Sequence, residues 1–249
     1  MNLLSVDFDY FFPTKEYNCT NTEELCLFDW GHNEGWSPKL LDALWYIRAS
    51  AFLRLQRELP YEKVPDKFWD RFNISKNAKL FIADSHSQAA HPKVTNNITD
   101  SIVSNIDAHH DCGFDKNIVD KVINEQSVDC SNWCIYYILR GNIINWLVPD
   151  FVPDKVVEKQ LESMDSNIVT SSLNVYRDNL PETEYSRVFL CRSSSWVPPW
   201  MDDDFFALVD SYPGKKIFLS DVEHRNWDIS FAEKMAEDEK EALSKQSSA

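Results

Sequence analysis

The chain of 249 residues lacks the features that mark membrane-bound and secreted proteins. No apolar stretch approaches the roughly 20 residues that a membrane-spanning helix needs. The first residues include no basic segment typical of a secretory signal. Six cysteines are scattered along the chain, too few and too widely spaced for a disulfide-stapled scaffold. We therefore expect a cytoplasmic protein with free thiols and no role at a membrane.

Positive charge is also scarce. The sequence contains 25 Lys and Arg residues against 40 Asp and Glu residues, which gives a formal net charge of -15. Such a chain repels phosphate backbones, so we expect no nucleic-acid partner. Cationic ligands are favoured instead, either metal ions or a substrate that carries Arg or Lys. The alternative is that the acidic residues only increase solubility.

The rest of the composition is that of a globular protein. Hydrophobic residues make up 43% and charged residues 26%, which excludes a disordered, collagen-like or coiled-coil chain. Apolar runs typical of buried strands recur at residues 3–9, 79–83, 102–106, 143–148, 168–170, 187–191 and 217–219. Helical patterns occur at residues 37–59, 115–125, 132–140, 153–163, 202–211 and 229–246. The first is predicted to begin at Ser37 as its cap, with Pro38 in the first turn, and to end before Pro60.

Strands that alternate with helices predict right-handed crossovers and a mostly parallel sheet. No repeat, low-complexity linker or change in composition divides the chain. We therefore expect a single three-layer α/β/α domain over residues 1–249. Within it, residues 229–249 are predicted to form a surface helix with a frayed tail.

A cluster of polar residues follows the apolar run at 102–106. Residues 106–111 read Ile-Asp-Ala-His-His-Asp. Because alternate side chains of an extended chain point the same way, Asp107, His109 and Asp111 are predicted to converge. Open α/β sheets place their sites at the carboxyl ends of strands, where this segment lies. The alternative is a polar loop with a helix-capping aspartate.

Two other strand ends carry similar side chains. Asp7 and Asp9 interrupt the first apolar run with a period of two, and their burial side by side is costly unless a cation compensates it. On an edge strand they would instead face solvent. His86 follows the apolar run at 79–83, where it would serve either as a ligand or as a hydrogen-bonded structural residue. Four Asp and two His without a thiolate suit a pair of Mn²⁺ ions better than one structural zinc.

These segments resemble motifs of the arginase–deacetylase (ureohydrolase) fold. Residues 107–111 look like its D-A-H-x-D signature, residues 84–87 its G-D-H-S segment, and residues 5–9 its S-x-D-x-D segment. The resemblance implies two Mn²⁺ ions, with iron or cobalt compatible with the same donors. The implied ligands are Asp7, Asp9, His86, Asp107, His109 and Asp111.

The order of these motifs differs from that in ordinary arginases. There the S-x-D-x-D strand follows D-A-H-x-D, whereas here it opens the chain, as in a circularly permuted sheet. Residues 132–141, 144–149 and 193–200 are similar to segments of a divergent branch that includes the peptide arginases. Those enzymes convert Arg side chains of a precursor peptide to ornithine, with release of urea, in ribosomal-peptide biosynthesis. The resemblance therefore implies an arginine-containing precursor peptide as the substrate.

The resemblance also implies a residue that holds the guanidinium and one that donates a proton to the leaving amine. Glu223, which follows the last apolar run, matches the guanidinium-binding carboxylate. The proton donor stays open because residues 112–145 contain no His. His32, in a loop flanked by two of the five glycines, is the first candidate, and an exposed His without a function is its alternative. His110 is the second candidate, although strand alternation points it away from the metals.

Two other functions remain open from the sequence. The same fold could cleave another C–N bond, as in a free guanidine, an acyl amide or an agmatine-like amine. Glu223 favours a guanidinium, because a deacetylase site needs an oxyanion donor such as Tyr at that position. A non-catalytic binding protein of this fold would be expected to lack metal ligands, and all six are present.

Overall fold

The computed structural model of the chain describes residues 1–12, 34–115, 117–164 and 171–246. Its seven strands form one sheet in the order β5-β4-β3-β1-β6-β2-β7. Every neighbouring pair is parallel, which confirms the expected parallel sheet. The strands are β1 Asn2–Asp7, β2 Asn73–Ala83, β3 Ile102–Ile106, β4 Ile143–Leu147, β5 Leu173–Tyr176, β6 Glu184–Cys191 and β7 Lys215–Phe218. The strand predicted at 168–170 lies outside the described residues.

Helices form in each of the predicted regions. They are α1 Pro38–Arg54, α2 Pro92–Thr95, α3 Ile118–Asn124, α4 Trp133–Ile138, α5 Asp154–Glu162, α6 Asp202–Ser211 and α7 Ile229–Gln246. Within the described ranges, four short 3₁₀ helices accompany them: Phe8–Phe11, Phe68–Arg71, His86–Ala90 and Pro199–Met201. In the part of the chain that the structure describes, no helix is both long and apolar enough to cross a membrane.

The first long helix shows both the strength and the limit of the sequence signals. Ser37 caps α1 by accepting a hydrogen bond from the backbone N–H of Leu40, and Pro38 occupies the first turn, as predicted. The helix ends at Arg54, earlier than the predicted residue 59. Gln56 has a left-handed φ of 56°, so the chain turns away before it reaches the proline that was expected to end the helix.

Apolar side chains cover both faces of the sheet and create the three layers. Along β2, Leu80 and Ile82 face one side, whereas Phe81 and Ala83 face the other. The first face packs against α1 and α6, and the second packs against α3 and α4. The outer helix α7 packs on α1 through buried alanines and an ion pair between Arg54 and Glu239.

The register of the central strands aligns three loops at one edge of the sheet. β1 lies between β3 and β6, and β6 separates β1 from β2. Asp7 is level with Cys191 of β6, which is level with Ala83 of β2. Val6 is level with Ile106 at the end of β3. The segments that follow β1, β2 and β3 therefore start side by side at the carboxyl edge.

Candidate metal centre

His86 lies at the centre of a group of buried carboxylates at this edge. Its Nδ1 atom is 3.0 Å from Oδ2 of Asp7, 3.2 Å from Oδ2 of Asp107 and 3.0 Å from Oδ2 of Asp111. None of the four residues is more than 5% exposed. Although three oxygens surround it, Nδ1 makes no hydrogen bond of acceptable geometry. Donor atoms that surround one point without pairing to one another are what a metal site requires.

A second group of donors shares one carboxylate with the first. Nδ1 of His109 lies 3.2 Å from Oδ2 of Asp9 and 3.6 Å from Oδ1 of Asp107. Asp107 thus offers one oxygen to each group. The sets Asp7–His86–Asp107 and Asp9–Asp107–His109 each place their donor atoms close enough to hold a metal ion. The structure brings together all six residues that the sequence predicted as ligands.

Hydrogen bonds from surrounding residues orient the donors. Ser5 Oγ lies 2.8 Å from Nε2 of His86, so Nε2 can donate its hydrogen there and leave a lone pair on Nδ1 facing the carboxylates. Ser193 Oγ donates to Oδ2 of Asp7 at 2.6 Å, and Trp133 Nε1 donates to Oδ2 of Asp111 at 2.7 Å. These partners come from distant segments, and no local sequence signal identifies them.

Turns, and not strand alternation, bring the ligands together. β1 ends at Asp7, and Asp9 lies on the 3₁₀ helix Phe8–Phe11, where its backbone N–H donates to Oδ1 of Asp7. β3 ends at Ile106, and Asp111 adopts a left-handed φ of 49°. The extended conformation that we expected for residues 7–9 and 107–111 is therefore wrong, even though the side chains converge.

Burial and like charge dominate the electrostatics of the cluster. Burial raises the pKa of Asp9 to about 8, and the neighbouring carboxylates of Asp7 and Asp107 add to this rise. Burial and Asp107 also raise the pKa of Asp111. Burial opposes the charged form of His86, but its three carboxylate neighbours raise its pKa well above the usual value. Bound protons or metal ions would relieve the repulsion among these carboxylates.

The donor set fits divalent cations that prefer oxygen and imidazole ligands. Four carboxylates and two imidazoles, without a thiolate, suit Mn²⁺, iron or cobalt. Two divalent ions would bring four positive charges against four carboxylates. The unpaired and buried Nδ1 of His86 is the clearest sign of this fit.

Of the two predicted proton donors, the structure places only His110, and its side chain lies apart from the donor cluster. His32 lies outside the described residues. The ring of His110 packs between Phe114 and Trp146, with centroids 4.6 and 5.7 Å away, and its Nδ1 accepts a hydrogen bond from the backbone N–H of Cys112. Burial lowers the pKa of His110 to about 4. This residue therefore has a packing role in the loop.

An acidic cavity of about 550 Å³ adjoins the cluster. Asp84 and Ser85, which line it, immediately precede His86 in the chain. Glu223 also lines it, with its side chain exposed. The carboxylates of the lining are Glu34, Asp42, Asp84, Asp221 and Glu223. The cavity thus offers a negative environment beside the donor cluster.

Sequence reasoning missed Glu34 and the arginines that support the cavity. Oε2 of Glu34 accepts a hydrogen bond of 2.7 Å from Ser85 Oγ, and burial raises the pKa of this carboxyl group. Arg192 Nε donates to Oδ1 of Asp84 at 2.8 Å. Arg225 pairs with the buried Asp202. Asp202 lies in the first turn of α6.

Arg225 also fixes the loop that leads from β6 to α6. Its guanidinium donates to the backbone carbonyls of Ser194, Val197 and Pro198 at 2.7 to 3.2 Å. This places the loop against the cavity.

Comparisons of the chain with protein-family models, with curated proteins and with solved structures found no match.

Proposed function

We propose that the protein is a metal-dependent hydrolase of the arginase type, which converts arginine side chains of a peptide to ornithine and releases urea. The observation that carries this proposal is the shared carboxylate of Asp107, which offers one oxygen to each of two donor groups beside an acidic cavity. A pair of metal ions and a cationic substrate would both be attracted to this arrangement. The peptide arginases are the proposed relatives, and the permuted strand order remains a prediction.

Two divalent cations, proposed to be Mn²⁺, would share Asp107. When bound, such ions supply Lewis-acid activation of a water molecule for hydrolysis at neutral pH. The other donors are divided between the two positions, with Asp7, His86 and Asp111 on one side and Asp9 and His109 on the other.

Glu223 is proposed to bind the guanidinium group of the substrate. A carboxylate can accept two parallel hydrogen bonds from a guanidinium, which fixes the plane of the reacting group as well as its position. The other cavity carboxylates add attraction for a positive charge. The amine that leaves must gain a proton, and His32 remains the predicted donor.

The arginines of the cavity favour a peptide over free arginine as the substrate. Free arginine carries a carboxylate that needs a positive partner, whereas a peptidyl arginine does not. Arg192 is engaged by Asp84, by Asp202 and by the backbone carbonyl of Glu223. Arg225 is engaged by Asp202 and by three loop carbonyls. These cations are therefore occupied within the protein.

Mass spectrometry of a peptide tests the proposal directly. We expect an arginine-containing peptide incubated with the Mn²⁺-loaded protein to lose about 42 Da per converted residue, the mass of CH₂N₂ removed by hydrolysis. Free arginine should release no urea. Urea from free arginine alone would instead indicate an ordinary ureohydrolase. If the protein binds metal but yields no product from either compound, the proposal is contradicted.

A matched pair of variants tests the role of Glu223. The Glu223→Gln protein should bind metal as the wild type does and lose turnover, because the amide no longer attracts the guanidinium. Asp221→Asn is the control, since Asp221 lies on the same loop and lines the same cavity. Full activity of Glu223→Gln, or an equal loss in both variants, would show that Glu223 is not the specific guanidinium ligand.

A further inference from the structure

A second cavity, of about 900 Å³, lies on the face of the sheet that packs α4, away from the carboxyl edge. Its charged lining residues are all positive: Lys79, Lys93, Arg140 and Arg187. No carboxylate lines it in the described part of the chain. We call these four residues, together with Lys215 on the neighbouring strand, the basic groove. It stands out in a chain whose formal net charge is -15.

Three cations of the basic groove form a row across adjacent strands. Lys79 of β2 is level with Arg187 of β6 on one side and with Lys215 of β7 on the other. Residues level with one another in a parallel sheet share a face, and their strands are about 4.8 Å apart. Like charges placed side by side on a sheet destabilise it. A bound anion would remove this repulsion.

The contacts of these side chains leave the positive charge uncompensated. The Arg187 guanidinium donates to the backbone carbonyl of Lys93 and lies 5.9 Å from the ring centroid of Phe81. Arg140 donates to the hydroxyl of Tyr136 at 2.7 Å. Among the described residues, no member of the basic groove forms an ion pair with a carboxylate.

We propose that the basic groove binds an acidic segment of the peptide substrate, at a distance from the arginine that reacts. That the bound peptide is the substrate rests on the proposed function, whereas the preference for an acidic peptide rests on the groove alone. The row from Arg187 to Lys215 spans only about 10 Å, so it has room for only a few carboxylates of a bound peptide. An extended nucleic-acid backbone would be repelled by the surrounding negative charge.

The position of the basic groove allows one peptide to reach both regions. Lys79 and Ala83 lie on the same strand, about 13 Å apart along β2. Asp84, the next residue, lines the acidic cavity. A peptide with a run of Asp or Glu several residues from its arginine would therefore span the groove and the cavity. The two regions select opposite charges at the two ends of such a segment.

Fluorescence anisotropy with a labelled oligoglutamate that contains no arginine tests the groove itself. We expect wild-type protein to bind it and the triple variant Lys79→Ala, Lys93→Ala, Lys215→Ala to bind it about tenfold more weakly, from the loss of three exposed ionic contacts. The control combines Lys155→Ala, Lys234→Ala and Lys240→Ala. These three lysines are also exposed, but they lie on α5 and α7, outside the basic groove. Both triple variants therefore change the net charge of the protein by the same amount.

The outcomes separate this proposal from the proposed function. Binding of oligoglutamate needs no turnover, so loss of hydrolysis would leave the groove measurable. If hydrolysis occurs, the groove variant should raise KM for a peptide with an acidic run and leave kcat unchanged. Equal binding by wild type and the groove variant, binding of an oligoglutamine peptide, or tighter binding of inorganic phosphate or an oligonucleotide would overturn the proposal.

Discussion

The same sheet gathers negative charge at its carboxyl edge and positive charge in the basic groove, and the two regions differ in burial. At the edge, Asp7, Asp107 and Asp111 are buried around His86, and neighbouring side chains orient them. In the groove, Lys79, Lys93, Arg140 and Lys215 are exposed and Arg187 is half-buried. Within the described part of the chain, side-chain hydrogen bonds hold the two arginines but none of the three lysines. Buried like charges demand a compensating ion, whereas exposed ones are screened by water and salt.

This difference indicates two kinds of binding. At the edge, buried Asp and His donors lie close enough together to hold a metal ion. The groove can contribute only modest, long-range attraction, because exposed ion pairs are weak. Changes at the edge should therefore have large effects on metal binding and catalysis, and changes in the groove should have small effects on substrate affinity.

The largest effect is expected from the carboxylate that both donor groups share. Asp107→Asn should lower hydrolysis by about a thousandfold or more, because loss of metal removes several kcal/mol of transition-state stabilisation. Mn²⁺ at a hundred times its Kd should raise the melting temperature of the wild type by about 5–10 °C and leave that of the variant unchanged. Metal analysis and thermal melts measure both effects. An unaltered metal content would rule out a shared ligand.

A smaller loss of metal affinity is expected when only the orientation of the His86 imidazole is disturbed. Ser5→Ala should weaken metal binding by about 10–100-fold, since it removes the partner of Nε2 but keeps all ligands. Ser104→Ala is the control, because Ser104 is equally buried in the sheet but pairs with the hydroxyl of Tyr185. Calorimetric titration with Mn²⁺ compares the two. Equal affinities would mean that Ser5 does not orient the imidazole.

Salt should weaken ligand binding at the basic groove but have little effect on metal binding at the carboxyl edge. Raising the ionic strength toward 1 M shortens the Debye length to about 3 Å, so binding of the acidic peptide to the exposed groove should weaken several-fold. The buried edge is screened much less, so Mn²⁺ affinity should change little. Titrations of both ligands across a salt series measure this. Salt-independent binding of the acidic peptide would remove the electrostatic basis of the groove.

The smallest effect is expected at Glu34, through the dependence of stability on pH. Because burial raises its pKa above the ordinary 4.5, the folded chain binds this proton more tightly than the unfolded chain. The carboxyl group therefore lowers the free energy of unfolding as pH rises above 4.5. In metal-free protein, Glu34→Gln should raise the melting temperature by about 1–2 °C at pH 7 but not at pH 4. An equal rise in melting temperature at pH 7 and at pH 4 would show that the charge of Glu34 is not the cause.

The fold could be predicted because its signals are local. The apolar run at 102–106 and the Ser37–Pro38 helix start depend on neighbouring residues only, and both occur as expected. The end of α1 was predicted too late, since the left-handed Gln56 has no signal as strong as the proline that follows. The short strand β5 escaped prediction because half of its few side chains are exposed.

The ligands could be predicted by residue type, but their geometry could not. Polar residues after buried strands identify the edge of the sheet where they meet. The left-handed Asp111 accepts a hydrogen bond from the distant Trp133, and Asp9 accepts one from the backbone N–H of Ala108 in another loop. The basic groove escaped prediction for a similar reason. Lys79, Arg187 and Lys215 become neighbours only through strand pairing.

The strand order determines when the candidate ligands can come together during chain synthesis. All six candidate ligands lie within residues 7–111, so the amino-terminal half of the chain contains them all. Yet β6, which begins at Glu184, is inserted between β1 and β2 and pairs with both. Asp7 and His86 therefore reach their positions only after the ribosome has made β6. The candidate donor groups can therefore be complete only in a chain that includes β6.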